Sequence, residues 1–214
     1  MLTESRYLDE LEIGAIEAAE IEEASRLLSR GMRDNPLHVA AFGEDPARRT
    51  QSLYRLFSGM LTVTSLPMLA AREADGTIVG VLGMSCPGSR RPPAAQLLRL
   101  LIRLSSNGPR ATLRTLRWVG AWARREPDGS HWHLGPVAVD EGLQRMGVGS
   151  RLMEVYCAQV DASGEDAYLE TDKPGNVRFY ERFGFELVGE GEVLGIPNWF
   201  MTRRPQRRRS QNHQ

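Results

Sequence analysis

With 214 residues, 41% hydrophobic and 25% charged, the chain suits one large globular domain whose core needs no disulfide support. Its 27 basic residues balance 27 acidic ones, so net charge offers no argument for a nucleic-acid or membrane partner. Two cysteines, Cys86 and Cys157, lie outside any CxxC spacing, and no leader or bilayer-length apolar run is read; a reducing, cytoplasmic setting is expected.

Residues 1–10 are polar and expected to fray. A strand is expected over 14–19. A helix follows over 20–31, from the stripe Ile21, Ala24, Leu27 and Leu28, with Gly31 as its C-cap. Residues 33–38 read as a turn, because Pro36 disfavours helix at Asn35. Pro46 opens a second helix whose buried side is Tyr54, Leu56, Phe57, Met60 and Leu61. Strands over 68–72 and 77–84, joined by Ala74-Asp75-Gly76, make a hairpin.

Pro87, Gly88, Pro92 and Pro93 then break the chain, and two arginine-studded amphipathic segments follow, 94–104 and 109–125. In the second, Leu113, Leu116, Val119 and Trp122 recur at i, i+3, i+6 and i+9, a helical face; Arg110, Arg114, Arg117 and Arg124 lie elsewhere on the wheel. The insert, about 87–129, is read as closing over a binding site. A subunit contact, giving a homodimer, and a membrane-surface helix are the competing readings.

His131-Trp132-His133 opens an apolar, β-branched strand running through Leu134, Val137, Ala138 and Val139 to Asp140. The H-x-H pair shares one face of a strand, but no third ligand lies at useful spacing, so no metal is expected. The loop Gln144-Arg145-Met146-Gly147-Val148-Gly149 leads into a helix from Ser150. Its glycines let consecutive N–H groups point at one ligand, and the first helical turn leaves N–H groups unpaired at the positive end of the dipole. That arrangement suits a diphosphate. A P-loop fits worse, since it needs Gly-Lys-Ser/Thr and the only lysine is Lys173. A dinucleotide fingerprint lacks its third glycine, where Leu152 stands, although Glu170 falls near its acidic position.

Residues 167–171 read as a strand parallel to this central one. A short helix follows between Pro174 and Gly184, carrying Asn176 and Tyr180 at i, i+4 on one face. Two strands, 185–193 and 197–202, close the domain, and the basic tail 206–214 is expected to be disordered.

Two segments resemble the GNAT superfamily of acetyl-coenzyme-A-dependent N-acetyltransferases. Q-R-M-G-V-G at 144–149 matches Q/R-x-x-G-x-G/A, and N-V-R-F-Y-E-R-F-G-F at 176–185 matches N-x-x-F-Y-E-x-x-G-F. L-E-T at 169–171 and G-I-P-N-W-F-M at 195–201 resemble the puromycin N-acetyltransferase-like branch. The resemblance implies a single α/β domain over 1–205. Its mixed, mostly antiparallel sheet would be splayed at two parallel strands, flanked by helices and interrupted by a helical insert.

It further implies a cofactor, acetyl-CoA, whose pyrophosphate is held by Gln144, Arg145, Met146, Gly147, Val148, Gly149 and Ser150. Asn176 would contact the pantetheine arm, beside Phe179. The N–H groups of the Val137, Ala138 and Val139 stretch would serve the thioester carbonyl and the pantetheine amides. Tyr180 would reach the sulfur; a phenol of pKa about 10 is a suitable proton source for a thiolate, which makes it the general acid. His38 and Phe42 would flank the acceptor pocket, with His133 beside it, though plain packing explains His38 and Phe42 equally well. Glu170 would deprotonate the acceptor through a water or bind its cation. The implied reaction carries acetyl to an amine of a small molecule by direct attack, since neither cysteine sits in a nucleophile motif. No nucleic acid or membrane takes part. A non-catalytic acyl-CoA sensor and an acetyltransferase of protein amines are the alternatives, with a dinucleotide oxidoreductase more distant.

Overall fold

The computed structural model describes residues 4–88 and 93–206. Pro92 and the expected tail beyond Gln206 lie outside these. Seven strands form one sheet in the order β1 (Glu12–Ala15), β2 (Met68–Arg72), β3 (Ile78–Ser85), β4 (Trp132–Val139), β5 (Ala167–Thr171), β7 (Ile196–Arg203), β6 (Glu186–Val193). Every neighbouring pair is antiparallel except β4 and β5. That parallel pair holds for only two rungs, Trp132 with Ala167 and His133 with Tyr168. Past His133 the two strands part, β4 staying with β3 and β5 staying with β7.

Side chains alternate along the strands, so each face of the sheet buries its own core. Leu69, Ala71, Val79, Leu82 and Leu134 pack with Val148, Leu152, Met153, Tyr156 and Val160 of α7 (Val148–Ser163). Ala70, Val81 and Ala138 face α2 (Ile21–Gly31) and α4 (Pro46–Gly59) through Leu27, Leu28, Leu53, Leu56 and Phe57. Leu28 and Leu53 are fully buried, and each such side chain contributes about 1.5–3 kcal/mol from removed apolar area. Gly31 owes its place to this packing rather than to capping: it is the last residue of α2, and a Cβ there would sit 3.1 Å from the Ala138 Cβ.

Three expectations need correction. Residues 4–9 form a helix, α1 (Glu4–Asp9), tied down by a 2.7 Å hydrogen bond from the Tyr7 hydroxyl to Glu73, so the N-terminal stretch is ordered from there. The first strand is Glu12–Ala15, because Glu17 and Glu20 form a capping box that turns the chain into a 3-10 turn at Ala18–Glu20. The expected turn at 33–38 contains the start of a helix, α3 (Pro36–Phe42): Pro36 sits in its first turn, where a missing N–H costs nothing, while Asn35 is extended as its proline demands.

The insert forms α5 (Ala94–Ser105) and α6 (Pro109–Ala123). On α6 the residues that go inward are Thr115, Trp118 and Ala121, together with the half-buried Trp122. Leu113, Leu116 and Val119 stay 51%, 49% and 56% exposed. Trp118 and Ala121 find α3 and the end of β6 through Leu37, Ala41 and Val193, a larger apolar contact than the leucine stripe meets. Among the described residues no helix is long and apolar enough to cross a membrane.

Candidate functional site

The parting of β4 from β5 opens a cavity of about 920 Å³ that runs between α2, α4 and α6 on one side and α7 and α8 (Pro174–Glu181) on the other. Local chemistry maintains the gap. Gly83 sits where β3 bulges against β4, and a Cβ on it would lie 2.8 Å from the Gly135 oxygen, so only glycine permits that approach. The Asp140 N–H donates to the Val79 carbonyl at 2.9 Å. Antiparallel alternation then turns the Ala138 N–H toward β3 and the Val137 and Val139 N–H groups toward the gap. Val137, Ala138 and Val139 all line the cavity.

At the α7 end, the chain leaves β4 through a 3-10 turn (Glu141–Leu143) held by the Asp140 carboxylate on the Gly142 N–H. Arg145 and Gly147 both take positive φ, +68° and +89°, which bends the loop back onto the helix axis. Gly147 is the N-cap of α7, with no side chain capping the first turn. The leading N–H groups of α7 are therefore open to an anion. Gln144, Arg145, Gly147, Gly149 and Ser150 line the cavity here; Arg182, stacked over Phe179, and Lys173, whose charge acts on His38, line it elsewhere. The Val148 side chain is buried in the core beneath α7 while its N–H is among the leading ones of the helix, and Met146 is outside the lining.

Opposite that helix end, α8 presents Asn176, Phe179 and Tyr180 to the same cavity. Asn176 is oriented by a 3.1 Å hydrogen bond from its amide to the Thr171 hydroxyl. Tyr180 is 8% exposed and wedged edge-on against Phe179 and Phe185. Burial raises its phenol well above the ordinary value, and the Asp172 charge pushes the same way. The hydroxyl therefore keeps its proton throughout the neutral range.

The remaining polar groups gather at the C-terminal end of β5. The Glu170 carboxylate, 3% exposed, lies 2.7 Å from His133 Nε2. Burial disfavours the charged imidazole, but the Glu170 hydrogen bond and charge, with Glu126 adding to them, outweigh it and hold His133 above the usual histidine range. Asp172 Oδ2 accepts the Leu37 N–H at 2.7 Å, stapling the first turn of α3 to the sheet. His38, 3% exposed, stands 2.7 Å by Nδ1 from the Met32 carbonyl, so Nδ1 carries the proton and Nε2 keeps its lone pair. Burial lowers its pKa and keeps the ring neutral. His38 lines the cavity; Phe42, expected beside it, stands behind, with ring centroids 6.5 Å apart and outside the lining.

Three contributors escaped the sequence. Asp172 and Arg49 act over long sequence separations, and Trp118 was obscured by the leucine stripe beside it. Arg49, buried to 4%, binds the Arg33 and Gly43 carbonyls and the Asp34 carboxylate, each at 2.7 Å, and so fixes both ends of α3. Arg33 and Arg49 hold the Asp34 carboxyl down at about 2. Among the described residues no cluster of His, Cys, Asp or Glu has the makings of a metal site. Cys157 is buried in the core with its thiol pushed up to about 11, and neither it nor Cys86 lines the cavity.

Comparison with solved structures places this architecture among acetyltransferases. A Corynebacterium glutamicum protein named histone acetyltransferase HPA2 and related acetyltransferase superposes with a TM-score of 0.69 over 92% of this chain and 97% of its own, at 21% identity. An agmatine N-acetyltransferase gives 0.58 over 92% and 100%, at 16% identity. Ard1 from Thermoplasma volcanium gives 0.52 over 92% and 99%, at 17% identity. At these identities the likeness speaks for the fold. Sequence speaks for more, because residues 37–185 match the model of the acetyltransferase (GNAT) family, a stretch that takes in the parted strands, the α7 loop and α8. The chain belongs to the GNAT acetyltransferase family.

Proposed function

We propose that the protein transfers acetyl from acetyl-CoA to an amine of a small molecule, by direct attack, with Tyr180 as general acid. The observation that carries the reading is one of shared access: the uncapped N-terminus of α7 and the neutral phenol of Tyr180 line the same cavity, reached through the gap between β4 and β5.

The residues fit the cofactor. The open amides at the start of α7, with Arg145 in the loop before them, suit a diphosphate. Asn176 and the inward N–H groups of Val137 and Val139 suit an amide-bearing arm and a polarised carbonyl. When bound, acetyl-CoA supplies the thioester whose acetyl group is transferred.

The side chains then divide the proton work. In the transfer, a nitrogen–carbon bond forms and the carbon–sulfur bond breaks. The ammonium nitrogen gives up two protons. One reaches solvent through the Glu170–His133 pair, and the other in effect replaces the proton that Tyr180 gives to the sulfur. Glu170 and His133 share a hydrogen bond along which a proton can pass. No acyl-enzyme is invoked, because the raised thiol of Cys157 is both buried and remote from the lining.

Trp118 and Trp122 of α6 wall the acceptor side, which favours small acceptors over a protein segment. A thiol-release assay with acetyl-CoA and a panel of amines tests the reading. Amine-dependent release is expected. Binding of acetyl-CoA without release for any amine would make the protein a sensor.

A further inference from the structure

The cavity is chemically lopsided. Among its described lining residues the only carboxylates are Glu170 and Asp172, at the end of β5, the second close enough to act on Tyr180. Each is already engaged, Glu170 with His133 and Asp172 with the Leu37 N–H. The facing wall, built by α4, the turn after it and α6, consists of Leu56, Phe57, Met60, Trp118, Val119 and Trp122. Of its few polar groups, the Thr115 hydroxyl donates to the Ala111 carbonyl at 2.9 Å, Trp122 Nε1 donates to Asn198 at 3.0 Å, and Trp118 Nε1 is a buried donor without a partner, which can serve an acceptor but not an ammonium. No carboxylate stands on that wall, and only its aromatic faces attract a cation. The acidic end, by contrast, offers a place for one ammonium, next to the groups that take its proton.

We infer that the acceptor is a primary monoamine with an apolar, chain- or ring-like body, and that diamines, polyamines and guanidinium-bearing amines are rejected. The inference rests on the acetyl-transfer reading and narrows it. An apolar tail gains contact with the leucine, methionine and tryptophan surfaces at each added methylene. A second ammonium in the same place would lose its water and meet no carboxylate, only aromatic faces. The agmatine N-acetyltransferase shares the fold, yet the apolar wall here argues against agmatine as this chain's acceptor.

The test compares matched amines in the thiol-release assay: n-hexylamine against 1,6-diaminohexane, and 2-phenylethylamine against agmatine. Each monoamine should exceed its partner in kcat/KM by about a hundredfold or more. Val119→Glu, at a position 56% exposed and therefore tolerant of charge, puts a carboxylate on the apolar wall. It should narrow the hexylamine-to-diaminohexane ratio at least about tenfold, and a ratio unchanged by this variant would count against the assignment of the wall. Diaminohexane or agmatine used as well as its partner would overturn the inference and leave acetyl transfer standing. If no amine releases thiol while acetyl-CoA still raises the melting temperature, the inference and the acetyl-transfer reading fall together.

Discussion

Glu170 Oε2 and His133 Nε2 are 2.7 Å apart, joining β5 to β4 beside the last rung where the two strands still pair. The bond spans the base of the gap, so it both ties the sheet where it begins to open and sets the charge of the acceptor end. The raised His133 pKa makes this contact measurable. A histidine whose folded pKa exceeds its unfolded value of about 6.5 contributes stability that is fully present below that pH and is lost as pH rises through the folded pKa. Glu170→Gln removes the charge and leaves burial, which lowers the imidazole. Its His133 titration, followed by NMR, should move down from the wild-type value. The wild-type advantage in melting temperature over Glu170→Gln should be larger at pH 6 than above the His133 titration. An unmoved His133 titration would refute the coupling.

Tyr180→Phe keeps the ring that packs on Phe179 and Phe185 and removes only the hydroxyl. It should lower kcat by about 10²-fold or more, with the Kd for acetyl-CoA nearly unchanged. Titration calorimetry alongside steady-state rates separates the two quantities. A wild-type kcat would remove Tyr180 from the proton path.

Gly147→Glu should abolish acetyl-CoA binding. A side chain at φ +89° strains the loop, its Cβ would meet Leu8 at 2.6 Å, and its carboxylate would stand where a diphosphate is expected. Retained cofactor binding with correct folding would displace the diphosphate from α7.

Arg49→Ala should act on the acceptor side without touching the cofactor. It leaves the Arg33 and Gly43 carbonyls without their donor, which costs about 2–4 kcal/mol, or roughly 5–10 °C in Tm for a chain of this size. The KM for the amine should rise because α3 and His38 lose their anchor, while the acetyl-CoA Kd holds. A changed acetyl-CoA Kd with unchanged amine KM would contradict this positioning role.

The parts of the site that could be read from the sequence are those written in neighbouring residues. The strand, bend and helix of 133–153 and the i, i+4 pair Asn176 and Tyr180 emerge where local spacing placed them. The parallel strand at 167–171 and the hairpin before it follow for the same reason. What stayed hidden depends on partners far along the chain. Asp172 and Leu37 are 135 residues apart, so no window of sequence reports that the carboxylate seats α3. Pro36 reads equally as a turn former and as a first helical residue, and the staple decides between them. On α6, spacing alone gives an apolar stripe but not its direction. Trp118 lies off that stripe, and the neighbouring α3 draws its side inward, together with Trp122 at the stripe's end. Phe42 shows the reverse case, a residue placed correctly beside His38 but turned to the core.

The most direct test of the account is a crystal structure of the complex with coenzyme A. The account predicts the diphosphate on the N–H groups at the start of α7, the arm running through the gap between β4 and β5, and the sulfur within hydrogen-bond reach of the Tyr180 hydroxyl. A diphosphate seated away from α7, or a phenol turned from the sulfur, would contradict it.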